Sequence, residues 1–145
     1  MDDIDRALIQ CCQEDAGQPY AALAASVGRS AGATHERVRK LRERGVIRRT
    51  TVEVDPAAVG SGVLAYVMVG STAWMGDSRA AFDGIAEIEE AHIIAGSASV
   101  MVKVRRTATT EQLQDVPRRV YTTDGVSGTQ DTVVLETSFE RPLPL

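Results

Sequence analysis

Several things are scarce in this chain. Cys11 and Cys12 are its only cysteines; neighbouring cysteines do not usually bridge each other, and two thiols make no zinc site. Both fall on the apolar stripe of a helix and read as buried thiols. No apolar run approaches the ~20 residues a spanning helix needs, so no membrane association is expected. The opening MDDIDRAL is acidic and amphipathic, unlike a signal peptide, and a cytoplasmic location is expected. There is no internal repeat and no low-complexity tract. No Ser/His/Asp or Cys/His arrangement can be argued from spacing, and no phosphate-cradling glycine motif occurs. Nothing therefore calls for an enzyme, a cofactor or a resident metal.

What is present suits one ordinary domain or two small ones: 145 residues, 43% hydrophobic and 25% charged. The net charge of −4 is divided unevenly. Residues 1–50 hold nine basic and seven acidic side chains, whereas residues 51–145 hold seven and thirteen. The anomaly lies in Gly28–Arg49. There Arg29, Arg37, Arg39, Lys40, Arg42, Arg44, Arg48 and Arg49 face only Glu36 and Glu43. A dense positive segment in an acidic chain points to a polyanion.

Ile4, Ala7, Leu8, Cys11 and Cys12 recur at helical spacing, and Gly17 ends this first helix. Pro19 suits the opening turn of a second helix, in which Tyr20, Leu23, Ala24 and Val27 repeat the spacing. Gly28 permits a tight turn, and Ser30 suits the N-cap of a third helix. Thr34, Val38 and Leu41 mark that helix's inner face. Its outer face starts with small residues, Gly32 and Ala33, and turns basic later. This is a helix-turn-helix pattern. Val46–Val54 is rich in β-branched residues and predicts a strand, the wing. Residues 1–50 form the first predicted domain, 51–61 a linker strand and hinge, and 62–145 the second domain.

The second domain reads strand, helix, strand, strand, helix, strand. Val63–Ser71 is the first strand. Asp77 or Ser78 caps a helix carrying Ala81, Phe82, Ile85 and Ile88. Ala91–Ala95 and Val100–Val104 form a hairpin across Gly96–Ser99. Thr109 or Thr110 caps a helix with Leu113, Val116 and Val120, shortened or kinked by Pro117. Gly125 ends it, and Val126–Phe139 is the last strand, centred on Val133–Leu135. This βαββαβ order is ferredoxin-like, which makes the whole chain α+β. The tail, Arg141–Leu145, is expected to be extended and mobile unless a partner holds it. Trp74 and Met75 fall in a loop, where they serve either as an interface anchor or in packing.

Taken in order, several segments resemble the Lrp/AsnC (feast/famine) family of transcription regulators. They are Asp3–Arg6, Leu23–Ser30, Glu36–Leu41, Gly45–Ile47, His92–Gly96 and Gly125-Val126, spread from residue 2 to about residue 138. The resemblance implies a winged helix-turn-helix followed by a βαββαβ (RAM/ACT-like) sensing domain. It further implies homodimers that often assemble into octamers, and an amino-acid effector bound at a subunit junction near the turn between the second and third strands. Carried onto this sequence, the effector residues are His92, Gly96, Ser97 and Ser99, with Thr129 and Asp131 from the last strand. Many members have an acid at or near the positions of Ser97 and Ser99, suited to an ammonium group. Gly96–Ser99 has no carboxylate. Either Asp131 supplies the charge, or the ligand differs, or the site is empty.

The expected partner of the first domain is double-stranded DNA bearing an imperfect palindrome. Arg29, Arg39, Lys40, Arg42 and Arg48 are the phosphate candidates; Ser30, Gly32, Ala33, His35 and Arg37 lie at or near the front of the third helix. His35 and Arg37 are the candidates for reading base edges. The leading function is a sequence-specific DNA-binding regulator that oligomerises and senses a small molecule. Two alternatives stand beside it: an architectural DNA binder without an effector response, and a dimeric ferredoxin-like-barrel enzyme.

Overall fold

The computed structural model describes residues 1–72, 74, 76, 78–107 and 109–145. They fall into two compact units, residues 1–53 with 139–145, and residues 54–138.

Three helices make the first unit: α1 (Asp3–Glu14), α2 (Tyr20–Ser26) and α3 (Ala31–Glu43). Asp2 caps α1, and with Asp5 it closes a reciprocal capping box that satisfies two orphan amides at the helix start. Leu8, Leu23 and Val38, one from each helix, form the core. Ile4, Cys11, Cys12, Tyr20, Val27 and Ile47 pack around them. The thiols are half-buried and free, and burial raises the pKa of Cys12. Thr34, Val38 and Leu41 are buried, as the spacing of α3 predicts. Gly28 has φ +63°, a left-handed conformation that lets the chain turn from α2 into α3. The Arg29 amide then donates to the Ala24 carbonyl at 2.9 Å. Ser30 caps α3 through the Ala33 amide.

The predicted strand at Val46–Val54 does not form. Val46 and Ile47 bend back, their amides donating to the Leu41 carbonyl at 2.9 and 3.1 Å; among the described residues the segment has no ladder partner, and Val52 is 79% exposed. β-Branched composition fits a half-buried pleated surface and does not make a strand without a neighbour. The tail at 139–145 groups with this helical unit, where the Leu143 carbonyl accepts a hydrogen bond from Gln13 Nε2 at 3.1 Å.

After a 3₁₀ turn at Ala57–Val59, the second unit runs β1 (Val63–Ser71), α4 (Ser78–Phe82), β2 (Ile88–Ile93), β3 (Val100–Thr107), α5 (Thr110–Leu113), α6 (Asp115–Tyr121) and β4 (Val126–Val133). The sheet is antiparallel, in the order β2-β3-β1-β4. Ala65, Val67 and Val69 of β1 and Val100, Val102 and Val104 of β3 are fully buried against Phe82, Leu113, Val116 and Val120. Burying each of the valine, leucine and phenylalanine side chains stabilises by about 1.5–3 kcal/mol.

Element ends depart from expectation in this unit. α4 stops at Phe82, and Ile88, placed on that helix by spacing, opens β2 instead. Gly84 lies in the turn between them and disfavours helix continuation. The expected second helix divides into α5 and α6, with Pro117 in the first turn of α6, where its missing N–H costs least. Thr109 caps α5. β4 ends at Val133 rather than Phe139; the Val134 amide still donates to Leu64, and Leu135 is 97% exposed. Asp77, considered as a cap for α4, and Met75 lie outside the described residues. Trp74 is exposed.

Candidate nucleic-acid interface and effector site

The basic residues of α3 are mostly engaged within the chain. Arg39 bridges Glu36, with Nη2–Oε1 at 2.6 Å and Nε–Oε2 at 2.9 Å, and also Glu43. Lys40 lies 3.5 Å from the same Glu36 carboxylate. The Arg39 guanidinium pulls the Glu36 pKa down to about 2. Arg37 reaches back to α1, donating to Asp5 Oδ1 at 2.7 Å and to Asp2 Oδ2 at 2.9 Å. His35 is exposed at the surface but stacks edge-on against Tyr20 of α2, with ring centroids 4.8 Å apart.

The residues around α3 differ. Among the described residues Arg29, Arg44, Arg48 and Arg49 form no ion pair, and Arg42 makes only a long hydrogen bond to Thr50 Oγ1 at 3.4 Å. All five are exposed. The front of α3 stays small and open: Ala31, Gly32 and Ala33 are exposed, and a Cβ added to Gly32 would meet nothing within 4 Å. Of the ten residues expected at DNA, Ser30 spends its hydroxyl on capping. Arg44 and Arg49 were not among them, although both are unpaired; their place just beyond the helix is the signal that could have found them.

In the second unit the β2–β3 connection carries Gly96, Ser97 and Ser99. Gly96 (φ +145°) and Ser97 are exposed. Ser99 is held through its backbone, accepting from the Ile94 amide at 3.0 Å and donating to the Val69 carbonyl at 2.9 Å. His92 stands opposite Met101, which stands opposite Met68. Since Val67 and Val69 face the helices, this row belongs to the open face of the sheet. His92 Nε2 lies 2.9 Å from Glu90 Oε2, and Lys103 Nζ donates to the other oxygen at 3.0 Å; His92 and Lys103 together lower the Glu90 pKa.

Thr129 and Asp131 sit elsewhere. They pair with Val69 and Val67, which places them on the helix-covered face of the edge strand β4. Partial burial raises the Asp131 pKa. His92 on β2 is three strand spacings away, roughly 14 Å. The structure thus brings Ser99 near the Val69–Thr129 pair but leaves His92 and Asp131 on opposite faces and opposite edges.

Residues 1–42 match the AsnC-type helix-turn-helix domain, and residues 63–144 match the Lrp/AsnC ligand binding domain. The HTH-type transcriptional regulator FL11 of Pyrococcus horikoshii is 33% identical over 144 residues, covering 97% of this chain and 93% of the relative. The regulator LrpA of Mycobacterium tuberculosis is 33% identical over 141 residues, covering 96% and 93%. This chain belongs to the Lrp/AsnC family. Among solved structures, Escherichia coli AsnC superposes with a TM-score of 0.91 at 25% identity, covering 100% of this chain and 99% of that one. A feast or famine regulatory protein of M. tuberculosis, complexed with L-methionine, does so with a TM-score of 0.91 at 32% identity, covering 99% of each. As an Lrp/AsnC protein the chain is a transcriptional regulator with a DNA-binding helix-turn-helix and a ligand-binding domain. Its named relatives are regulators, not enzymes.

Proposed function

We propose that this regulator binds a two-fold DNA site as a homodimer and adjusts that binding to an amino acid. The observation that carries the DNA half is the separation of roles around α3. Its front is small and open, while Arg42 of its last turn and the flanking Arg29, Arg44, Arg48 and Arg49 form no ion pair among the described residues. A glycine inside a helix costs about 1 kcal/mol relative to alanine. No neighbour inside the chain requires that glycine at position 32, which suits close approach to a groove floor. The flanking arginines contact phosphates, and base discrimination falls to the first turn of α3.

Dimerisation is supported by the open face of the sheet. Tyr66, Met68 and Met101 stand there half-buried beside Lys103, Glu90 and His92, on the face opposite the one that the described helices of this unit cover. Two copies joined through such faces present two α3 helices to successive major grooves, about 34–36 Å apart, so the operator is an imperfect palindrome. Higher assembly up to an octamer adds further copies of the same pair. The working location is the nucleoid; no described helix is long and apolar enough to cross a membrane.

The effector reading draws on the methionine-bound M. tuberculosis relative and on the Gly96–Ser99 turn. Ser97, Ser99 and His92 from one copy, with Thr129 and Asp131 from another, supply hydrogen bonds and one carboxylate for an ammonium group. Two titrations test the whole proposal. Selection from randomised duplexes should return imperfect palindromes whose affinity falls steeply with salt. Thermal shift against the twenty amino acids should pick out one or a few. A Kd independent of salt overturns the DNA reading. Silence from all twenty amino acids overturns the effector reading and leaves an architectural DNA binder, which the absence of a carboxylate in Gly96–Ser99 favours.

A further inference from the structure

We infer that Arg37 is a positioning residue, not a base reader: it fixes the angle of α3 by seating in a socket made by the α1 capping box. The proposal rests on α3 being the helix that faces DNA.

The socket is fully accounted for, atom by atom. Asp2 Oδ1 accepts from the Asp5 amide at 2.8 Å, and Asp5 Oδ2 accepts from the Asp2 amide at 3.2 Å. Each carboxylate then has one oxygen left, and both remaining oxygens accept from Arg37 Nη1, at 2.9 Å from Asp2 and 2.7 Å from Asp5. The box that begins α1 is therefore also the acceptor pair for a side chain 32 to 35 residues away. The Asp5 side chain is 11% exposed and that of Arg37 34% exposed, so the pair is partly shielded from water. A shielded carboxylate that lost its cation would be left with an unpaired charge, so the bond holds better than a surface bridge.

The geometry matters because α3 has few other polar holds on α1. The contacts of Val38, Leu8 and Leu23 are apolar and carry no directional bond. Directional bonds to Asp2 and Asp5 fix the rotation of α3 about its own axis. That rotation decides which side of the first turn, Ala31–Ala33, points outward. Both Nη1 hydrogens are spent on Asp2 and Asp5, so α1 aims the guanidinium and its positive charge is already neutralised before DNA arrives.

Sign separates the possibilities. Asp2 and Asp5 are anions beside a polyanion site. If they only repel DNA, their removal tightens binding; if they seat Arg37, it weakens binding. Asp2→Asn is the cleanest variant: asparagine caps as well as aspartate, while the oxygen that accepts from Arg37 becomes an amide NH2 and the charge is lost. The experiment measures operator affinity by fluorescence anisotropy from low to high salt, together with Tm, for the wild type, Asp2→Asn, Asp5→Asn, Arg37→Met and Asp5→Asn/Arg37→Met. The proposal expects Kd to rise about tenfold in Arg37→Met and Asp5→Asn, and less in Asp2→Asn. The rise should be uniform across operator variants, the slope of log Kd against log salt unchanged, and the double variant no worse than the worse single one. Tighter binding by Asp2→Asn, or a slope about 0.9 smaller in Arg37→Met, overturns it in favour of a phosphate contact. Loss of discrimination at one base pair in Arg37→Met overturns it in favour of base reading. If Arg37→Met does not fold, Asp2→Asn alone decides by its sign. Failure of the wild type to bind any duplex overturns the DNA reading itself; the Tm coupling of Asp5 and Arg37 still measures the brace.

Discussion

Helix α3 and the segments flanking it are about equally rich in arginine, yet they use it differently. Within α3, Arg37 and Arg39 are bound to carboxylates of the same unit, and Lys40 lies near one. Around it, Arg29, Arg44, Arg48 and Arg49 form no ion pair among the described residues. A count of charges along the sequence treats the two groups as equal. A polyanion does not, because a paired arginine must give up its carboxylate, or bring it along, before it neutralises a phosphate. The positive charge free of carboxylates therefore lies at the ends of α3, not along its back.

The largest test of this contrast removes the flanking charges. Arg44→Ala/Arg48→Ala/Arg49→Ala should weaken DNA binding by about two to three decades at low salt and flatten the salt slope by about 2.7, if each touches one phosphate. Arg39→Ala alone should leave the slope nearly unchanged. Freeing the paired group sharpens the contrast from the other side. Glu36→Gln/Glu43→Gln should tighten binding about tenfold and steepen the slope by about 0.9, as Arg39 becomes available. In the second unit, Asp131→Asn should reduce the thermal response to the effector severalfold while leaving DNA affinity in its absence unchanged. An undiminished response would show that Asp131 does not hold the ammonium group.

The smallest effect concerns pH. The folded pKa of Glu36 is depressed to about 2, so the stabilisation from its bridge is fully present above its ordinary value of 4.5 and is lost as pH falls toward 2. Asp2, Glu87 and Glu90 are shifted the same way, by the capping box and Arg37, by Arg119, and by His92 with Lys103. Asp131, raised by burial, opposes them weakly. Denaturant midpoints should therefore fall between pH 4.5 and 2 and hold steady between pH 5 and 7. Glu36 in turn should keep Arg39 neutralised at any pH used for DNA binding.

Where structure depends on neighbours in sequence, the chain could be read directly. Ser30 caps α3, Thr34, Val38 and Leu41 face inward, and β1 runs over the predicted Val63–Ser71, because caps and periodicity are local properties. Ile85 and Ile88 misled, since a three-residue spacing across Gly84 imitates a helix that the glycine breaks. Val46–Val54 misled because a strand is defined by a partner that composition does not reveal. What the candidate binding residues touch within the chain was hidden for the same reason. Nothing near Arg37 in sequence announces Asp2 and Asp5, and nothing near His35 announces Tyr20. Residue type was legible; whether a side chain was already occupied was not.

The strand order β2-β3-β1-β4 has an arithmetic consequence for regulation. A small molecule that touches both His92 and Asp131 must do so through two polypeptides, because one copy holds them on opposite faces and edges. Such a ligand would act as molecular glue. Where the two copies are otherwise apart, its apparent affinity would rise with the amount of regulator present, and regulator abundance would become a second input beside the concentration of the effector.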